Sequence, residues 1–343
     1  MRIKSFVGAA FTALFLFLMM AGNAAAADKV SVFVSIVPEQ YFLEKIGGDR
    51  VDVSVMVMPG ASPATYEPSP RQMAGLTEAK AYFAMDVPFE ATWLARIKSA
   101  NPDMKVIEVD EGIRKMPMAR HGHGGDHDGG HDGPPPPPSQ GHGGMPGPGS
   151  GPGHGPMPPD HDRAAGPGHG PEPGLDHDHG ILDPHIWLSP RLVKIMAGNI
   201  CRGLVEIDPA GEAEYEANLA AFEDELNSLD RSIAAALAPL PKDKRTFMVF
   251  HPSWGYFARD YALQQVPIES EGKEPSAADL ERIISTGRQL HIPVVFVQPQ
   301  FSERSAKVIA SEMGAKVVPL DPLAADWAEN MRRVARAFIQ ALE

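Results

Sequence analysis

Short β-rich apolar runs alternate with helical periodicity over two stretches of this chain. The first set of runs covers residues 30–37, 51–58, 79–84 and 106–109. Residues 39–46 and 70–77, which lie between its first three runs, have helical character instead. A second set follows at 246–250, 266–268, 294–297 and 316–320, with helical segments at 277–290 and 302–313 between its members. Strands that alternate with helices build crossover units, so each set predicts one parallel sheet flanked by helices. Between the sets, Ser189-Pro190 offers an N-cap followed by proline at the first helical position, and Asp208-Pro209 repeats the signal. From residue 210 to 238, Leu219, Phe222, Leu226, Leu229, Ile233 and Leu237 recur at spacings of three and four. A helix of that length spans roughly 43 Å, enough to cross from one lobe to the other as a rigid strut. The expected architecture is α/β, with an N-terminal lobe at 28–190, a helical region at 191–238 and a C-terminal lobe at 239–343.

A low-complexity segment interrupts the first lobe at about residues 118–181. Of the 60 residues from His121 to Gly180, 33 are Gly or Pro, ten are His and seven are Asp, so the segment supplies metal ligands without a means of packing a core. It is expected to be disordered. Ten of the chain's 13 histidines fall here, and imidazole suits Zn, Cu, Ni and Fe. Metal capture therefore fits better than an inert linker or a pH-responsive tail. His121, His123, His127, His131, His177 and His179 are the auxiliary ligands expected from it.

The N-terminus bears on the compartment. Arg2 and Lys4 precede an apolar run from Phe6 to Ala21, and Ala25-Ala26-Ala27 precedes Asp28, the pattern of a secretory signal peptide over residues 1–27. An uncleaved anchor is the alternative, although the run is short for a span. The expected location is periplasmic or otherwise extracytoplasmic. Cys201 is the chain's one cysteine, which excludes an internal disulfide, and it lies far from the cleavage region, which argues against lipid attachment there. Its apolar helical neighbours make it a core residue. Loss of two positive charges with the leader takes the formal balance from −13 to −15, which makes nucleic acid a poor partner. Without leader and low-complexity segment, about 250 residues remain, suiting two compact lobes.

In open α/β sheets, ligands bind beyond the carboxyl ends of the strands. His251 directly follows the run 246–250, Asp321 follows 316–320, and His185 lies where the chain leaves the low-complexity segment. Two imidazoles and a carboxylate suit a borderline divalent metal such as zinc. Each also has an ordinary structural explanation: a histidine after a strand is often only hydrogen-bonded, and an Asp before Pro322 commonly caps a turn. His291 ends a helical segment, where it can meet exposed carbonyls, and is not a candidate.

These residues sit in a series of motifs: Met58-Pro-Gly-Ala-Ser-Pro-Ala-Thr-Tyr-Glu-Pro68, Asp183-Pro-His-Ile-Trp-Leu-Ser-Pro190, Phe250-His-Pro-Ser-Trp-Gly-Tyr-Phe257, Val297-Gln-Pro-Gln-Phe301 and Leu320-Asp-Pro-Leu323. The series resembles the zinc- and manganese-binding proteins of bacterial ATP-binding-cassette importers, especially the ZnuA-like zinc proteins. The resemblance runs from about Val30 to the C-terminus, apart from the low-complexity segment. It implies two lobes joined by a long rigid helix, with metal in the cleft between them. His185, His251 and Asp321 match three family ligands. The first family ligand, a histidine, is Ala64 here, which leaves an open position for water or another group. Further candidates are Glu67, Glu269, Glu271, Glu274, Gln298 or an imidazole of the low-complexity segment. Gln298 stands where many relatives have Glu; as a neutral amide it removes negative charge near the cleft.

The expected function is that of a monomeric, exported solute-binding protein that captures Zn²⁺ and passes it to the membrane permease of a metal importer, without catalysis. The low-complexity segment would collect metal at low affinity. A manganese-binding homologue is less favoured, because the family's zinc members often carry a His- and Asp-rich loop in this position. A zinc buffer or chaperone without an importer, and a zinc hydrolase, are the alternatives from other classes. The hydrolase would need a positioned general base, and no signature such as His-Glu-x-x-His is present. The 16 methionines raise copper as a rival metal, but most fall on core-like patterns.

Overall fold

Hydrophobic content along the strands sorts them into central and edge positions. In the computed structural model, which describes residues 29–119, 182–269 and 273–342, β1 (Val30–Val34), β2 (Val51–Val55), β3 (Ala81–Ala84) and β4 (Lys105–Glu108) form one parallel sheet of order β2-β1-β3-β4. The strands β5 (Thr246–Val249), β6 (Gln264–Pro267), β7 (Val294–Val297) and β8 (Lys316–Pro319) form a second parallel sheet of order β6-β5-β7-β8. Strands covered on both faces read as continuous apolar runs. Accordingly β3 and β7, central in their sheets, are buried at every residue, whereas edge strands β2, β4, β6 and β8 carry Asp52, Lys105, Gln264 and Lys316.

Helices follow most strands: α1 (Val37–Gly47), α2 (Pro70–Gly75), α3 (Pro88–Ala100), α4 (Pro190–Ile207), α5 (Glu212–Leu237), α6 (Gly255–Asp260), α7 (Ala277–Gln289), α8 (Arg304–Met313) and α9 (Trp327–Leu342). The first strand is shorter than the apolar run 30–37. Glu39, at the third position of α1, accepts the backbone N–H groups of Ser35 and Ile36 at 3.0 and 3.1 Å, so the chain turns helical from Val37. Ser189 caps α4 as expected, its side chain accepting the Leu192 N–H. Asp208 does not cap in the same way. Its carboxylate is drawn off by Arg50 and by the Tyr215 hydroxyl, both at 2.7 Å, and α5 begins only after a 3₁₀ turn at Pro209–Gly211. His291 also departs from expectation: it stands at φ 51° after α7, and its backbone N–H, rather than its imidazole, meets the Arg288 carbonyl. The helical spacing of Trp327, Met331, Val334, Phe338 and Leu342 is present in the sequence, though α9 is not among the expected elements.

The 26-residue α5 runs along both lobes. Asn218 donates to the Ile46 carbonyl and Tyr41 to Glu225 on the first lobe, while Asp230 accepts from Tyr261, and the Leu237 carbonyl from Arg245, on the second. Its buried Tyr215, Phe222, Leu226, Leu229, Ile233 and Leu237 belong to one continuous core that passes through both lobes. At about 1.5–3 kcal/mol for each large apolar side chain, that attachment is comparable with a whole domain's net stability of roughly 5–15 kcal/mol. The lobes also meet directly. Trp327 of α9 packs edge-on against Phe42 of α1 at 5.0 Å, and the indoles of Trp187 and Trp327 donate to the carbonyls of Pro322 and Trp187. Both lobes accordingly lie in one compact unit. A separate core under α7 and α8 gathers Met248, Phe250, Ile283 and Ile309.

Cys201 is a buried core residue of α4. Among the described residues no helix is long and apolar enough to cross a membrane. The expected leader (residues 1–27), the auxiliary histidines of the low-complexity segment, and Glu271 lie outside the described residues.

Candidate metal centre

In each sheet the connection from the first strand leads to one side and the third strand pairs on the other, which leaves a crevice beyond their carboxyl ends. His251 follows β5 at that point. Its backbone N–H donates to Gln298 Oε1 at 3.2 Å, and Gln298 Nε2 donates back to the His251 carbonyl at 2.6 Å and to Ser253 Oγ at 3.0 Å. Gln298, buried after β7, is therefore a two-ended clamp on the His251 turn and not the additional metal ligand expected, because both ends of its amide are in use. A glutamate there could accept the N–H but, when ionised, could not donate to the carbonyl. His185 is held by Asp183, whose Oδ1 takes the His185 backbone N–H at 2.9 Å and faces Nδ1 at 2.7 Å.

The two imidazoles face each other with Nε2 to Nε2 at 3.2 Å. Behind His251, Glu269 Oε1 is 2.7 Å from Nδ1, the counterpart of Asp183 behind His185. A carboxylate at Nδ1 fixes the proton there and turns the Nε2 lone pair outward. Two neutral rings so arranged have no proton to share at their close approach, and their lone pairs repel unless a cation lies between them. Two nitrogens bound to one tetrahedral zinc at about 2.0–2.1 Å stand roughly 3.3 Å apart, close to the separation seen here. Burial lowers the His251 pKa from its ordinary value; the hydrogen bond to Glu269 opposes this, and the neighbouring His185 adds to it. Phe301 stacks on His251 at 5.0 Å and Trp187 packs against His185 at 5.1 Å, which restrains both rings.

Asp321 follows β8 as expected, but Oδ1 accepts Gln300 Nε2 and the Leu323 N–H, each at 2.9 Å, in the manner of a turn cap. Glu67 is exposed. Glu274 is exposed and accepts from Ser305 Oγ. Among the described residues, no three His, Cys, Asp or Glu side chains converge closely enough to hold a metal ion. The structure thus brings His185 and His251 together, while Asp321 is tied to Gln300 and Leu323 of the adjoining wall.

A cavity of about 130 Å³ adjoins the two imidazoles, and Ala64, Pro88, Trp187, Gln300, Phe301 and Pro322 contribute to its wall. It lies at the carboxyl-end side of both sheets. Asp183 and Glu269 are the groups whose orienting role the motif reading did not find; Glu269 was a candidate ligand there. Asp183 is legible in the Asp-Pro-His order, but the meeting of Glu269 with His251 depends on β6 pairing beside β5, with Ile268 N–H on the Val249 carbonyl at 2.8 Å.

Known proteins share this architecture. A crystal structure of ZnuA is 41% identical and covers 92% of this chain and 100% of its own, with a TM-score of 0.73. A zinc-bound internal-deletion mutant of ZnuA is 42% identical, with a TM-score of 0.71 and coverage of 92% and 99%. Among curated relatives, the zinc-binding protein AdcA of Streptococcus pyogenes serotype M3 is 27% identical over 89% of this chain and 53% of its own length, so the chain spans about half of that relative. The high-affinity zinc uptake system protein ZnuA of Bacillus subtilis is 26% identical over 86% of this chain and 79% of its own. The family model described as zinc-uptake complex component A, periplasmic, matches residues 32–341, and the chain belongs to that family.

Proposed function

We propose that the chain is the extracytoplasmic solute-binding component of a zinc importer. It captures Zn²⁺ between His185 and His251 and hands it to the membrane permease of an ATP-binding-cassette system, as a monomer exported by its N-terminal leader. One observation carries the reading: two Nε2 atoms 3.2 Å apart, each backed by a carboxylate at Nδ1. Asp183 and Glu269 offset the charge of a divalent cation while leaving both lone pairs free to bind it. Asp321 is the third ligand in this reading, keeping Oδ1 on Gln300 and Leu323 and turning Oδ2 to the metal. Binding and release suffice for this role, and no bond in the cargo is made or broken. Family membership supports the zinc assignment, and nitrogen donors favour zinc over manganese.

The low-complexity segment serves as a weak, multivalent collector. Each of its sites must lose chain entropy to gather ligands, so it adds capacity rather than tight binding. Zinc titration of the intact chain and of a variant lacking residues 120–180 tests both parts. One tight site should survive the deletion while the weaker equivalents disappear. Loss of the tight site would place an essential ligand in the deleted segment, and tighter manganese than zinc binding in the deleted protein would overturn the choice of metal.

A further inference from the structure

The cavity beside the histidine pair has a shape and lining that metal capture alone does not require. At about 130 Å³ it approaches the roughly 150 Å³ apolar cavity that accommodates one benzene ring. Ala64, Trp187, Phe301 and Pro322 give it predominantly apolar walls. Phe301, stacked on the His251 ring at 5.0 Å, brings an aromatic face to the same wall. The adjoining imidazoles, meanwhile, offer two nitrogens to a metal that takes four ligands, and the Asp321 carboxylate supplies a third at most.

We propose that this cavity binds a small neutral heterocycle of the imidazole class as an external ligand to the metal. The inference rests on the reading of His185 and His251 as metal ligands. One ring nitrogen completes the coordination of the cation, and the ring faces lie against Phe301 and the apolar wall. Ala64 makes this possible, because a methyl group at that wall leaves the ring's volume free. The protein then takes its cargo as a ternary complex with an imidazole-bearing small molecule rather than as the bare ion.

The test measures zinc affinity of the full chain by chelator competition, with and without millimolar imidazole, correcting for zinc bound by imidazole in solution. Imidazole should tighten the high-affinity site about tenfold, equivalent to about 1.4 kcal/mol. Ala64→Leu, at an exposed position where folding should be tolerant, fills the cavity and should abolish the effect; Ala64→His should bind zinc tightly with no response to imidazole. Either of two results would overturn the proposal: no tightening in the unmodified chain, meaning that the chain completes its own site, or equal tightening in Ala64→Leu, meaning that imidazole acts elsewhere. Loss of the reading beneath it looks different. There, His185→Ala with His251→Ala would retain the tight site whatever imidazole did.

Discussion

The two sheets share one strand order, yet the groups at their crevices do opposite work. After β1 and β3 the first lobe places Glu39 and Glu90, whose oxygens turn inward: Glu39 accepts from the backbone of Ser35 and Ile36, and Glu90 accepts from Ser35 Oγ and from the backbone of Met85 and Asp86. Ser35 Oγ also meets the Tyr82 hydroxyl at 2.6 Å, closing a buried network. After β5 and β7 the second lobe places His251 and Gln298. There the amide takes up the backbone groups, and Glu269 takes Nδ1, so that Nε2 faces outward to His185. The same topology therefore yields a closed polar interior in one lobe and an outward-facing imidazole nitrogen in the other. What differs is whether backbone N–H groups satisfy the side chain itself or a neighbour that holds it.

The largest expected effect breaks the closed side. Glu90→Ala leaves the N–H groups of Met85 and Asp86 without their acceptor and takes one of two partners from Ser35 Oγ, and should destabilise the fold by about 2–4 kcal/mol. Chemical denaturation measures this, and zinc should still raise the midpoint of the variant. On the open side the dissociation reverses. Free zinc at 100 times its dissociation constant should stabilise the parent by about 2.7 kcal/mol, and His185→Ala with His251→Ala should remove that shift while leaving metal-free stability little changed. Thermal melts with and without zinc would contradict the assignment if the shift persisted in a variant lacking residues 120–180.

A smaller change sharpens the comparison at the level of orientation. Glu269→Gln keeps the shape but loses the carboxylate behind His251, and should weaken zinc binding about 10–100-fold, as removal of an outer-shell partner does elsewhere. Competition with a chelating dye gives the number; unchanged affinity would mean that Glu269 does not set the ring. The subtlest effect is a pH dependence on the closed side. Burial raises the Glu39 pKa well above the ordinary carboxylate value, Glu90 adds to this, and the N–H groups of Ile36 and Ser35 oppose it; Asp110 also faces the group and raises it further. Glu90 is raised too, chiefly by burial. A carboxylate raised on folding contributes stability that is fully present below its unfolded pKa and lost as pH rises through the folded one. Glu39→Gln cannot ionise, so its stability relative to the parent should improve as pH rises from the acid range through neutrality. Paired urea titrations check this, and a relative stability that stayed flat would mean that Glu39 folds with its charge.

Much of the scaffold was legible because burial leaves a local trace. Central strands covered on both faces read as unbroken apolar runs, α5 announced itself through its three-and-four spacing, and Ser189 capped α4 from one residue away. The positions of His185 and His251 just beyond a loop and a strand were legible on the same terms. Glu39, by contrast, has an ordinary sequence setting for an exposed first-turn acid, and only the surrounding sheet buries it. Asp208 carried a capping signal that Arg50, 158 residues away in sequence, overrode with a charged hydrogen bond.

By itself, then, the sequence determined two parallel α/β sheets, the rigid helix along them and the kind of donor available for a metal, because periodicity and residue chemistry are local properties. Tertiary structure alone decided which donors face one another. The 3.2 Å approach of two imidazoles 66 residues apart, the Glu269 carboxylate behind one of them, and the use of Gln298 as a clamp all depend on strand register and on the meeting of the two lobes. Side-chain hydrogen bonds fall off within an ångström or so, and no pattern along the chain encodes distance across it to that precision.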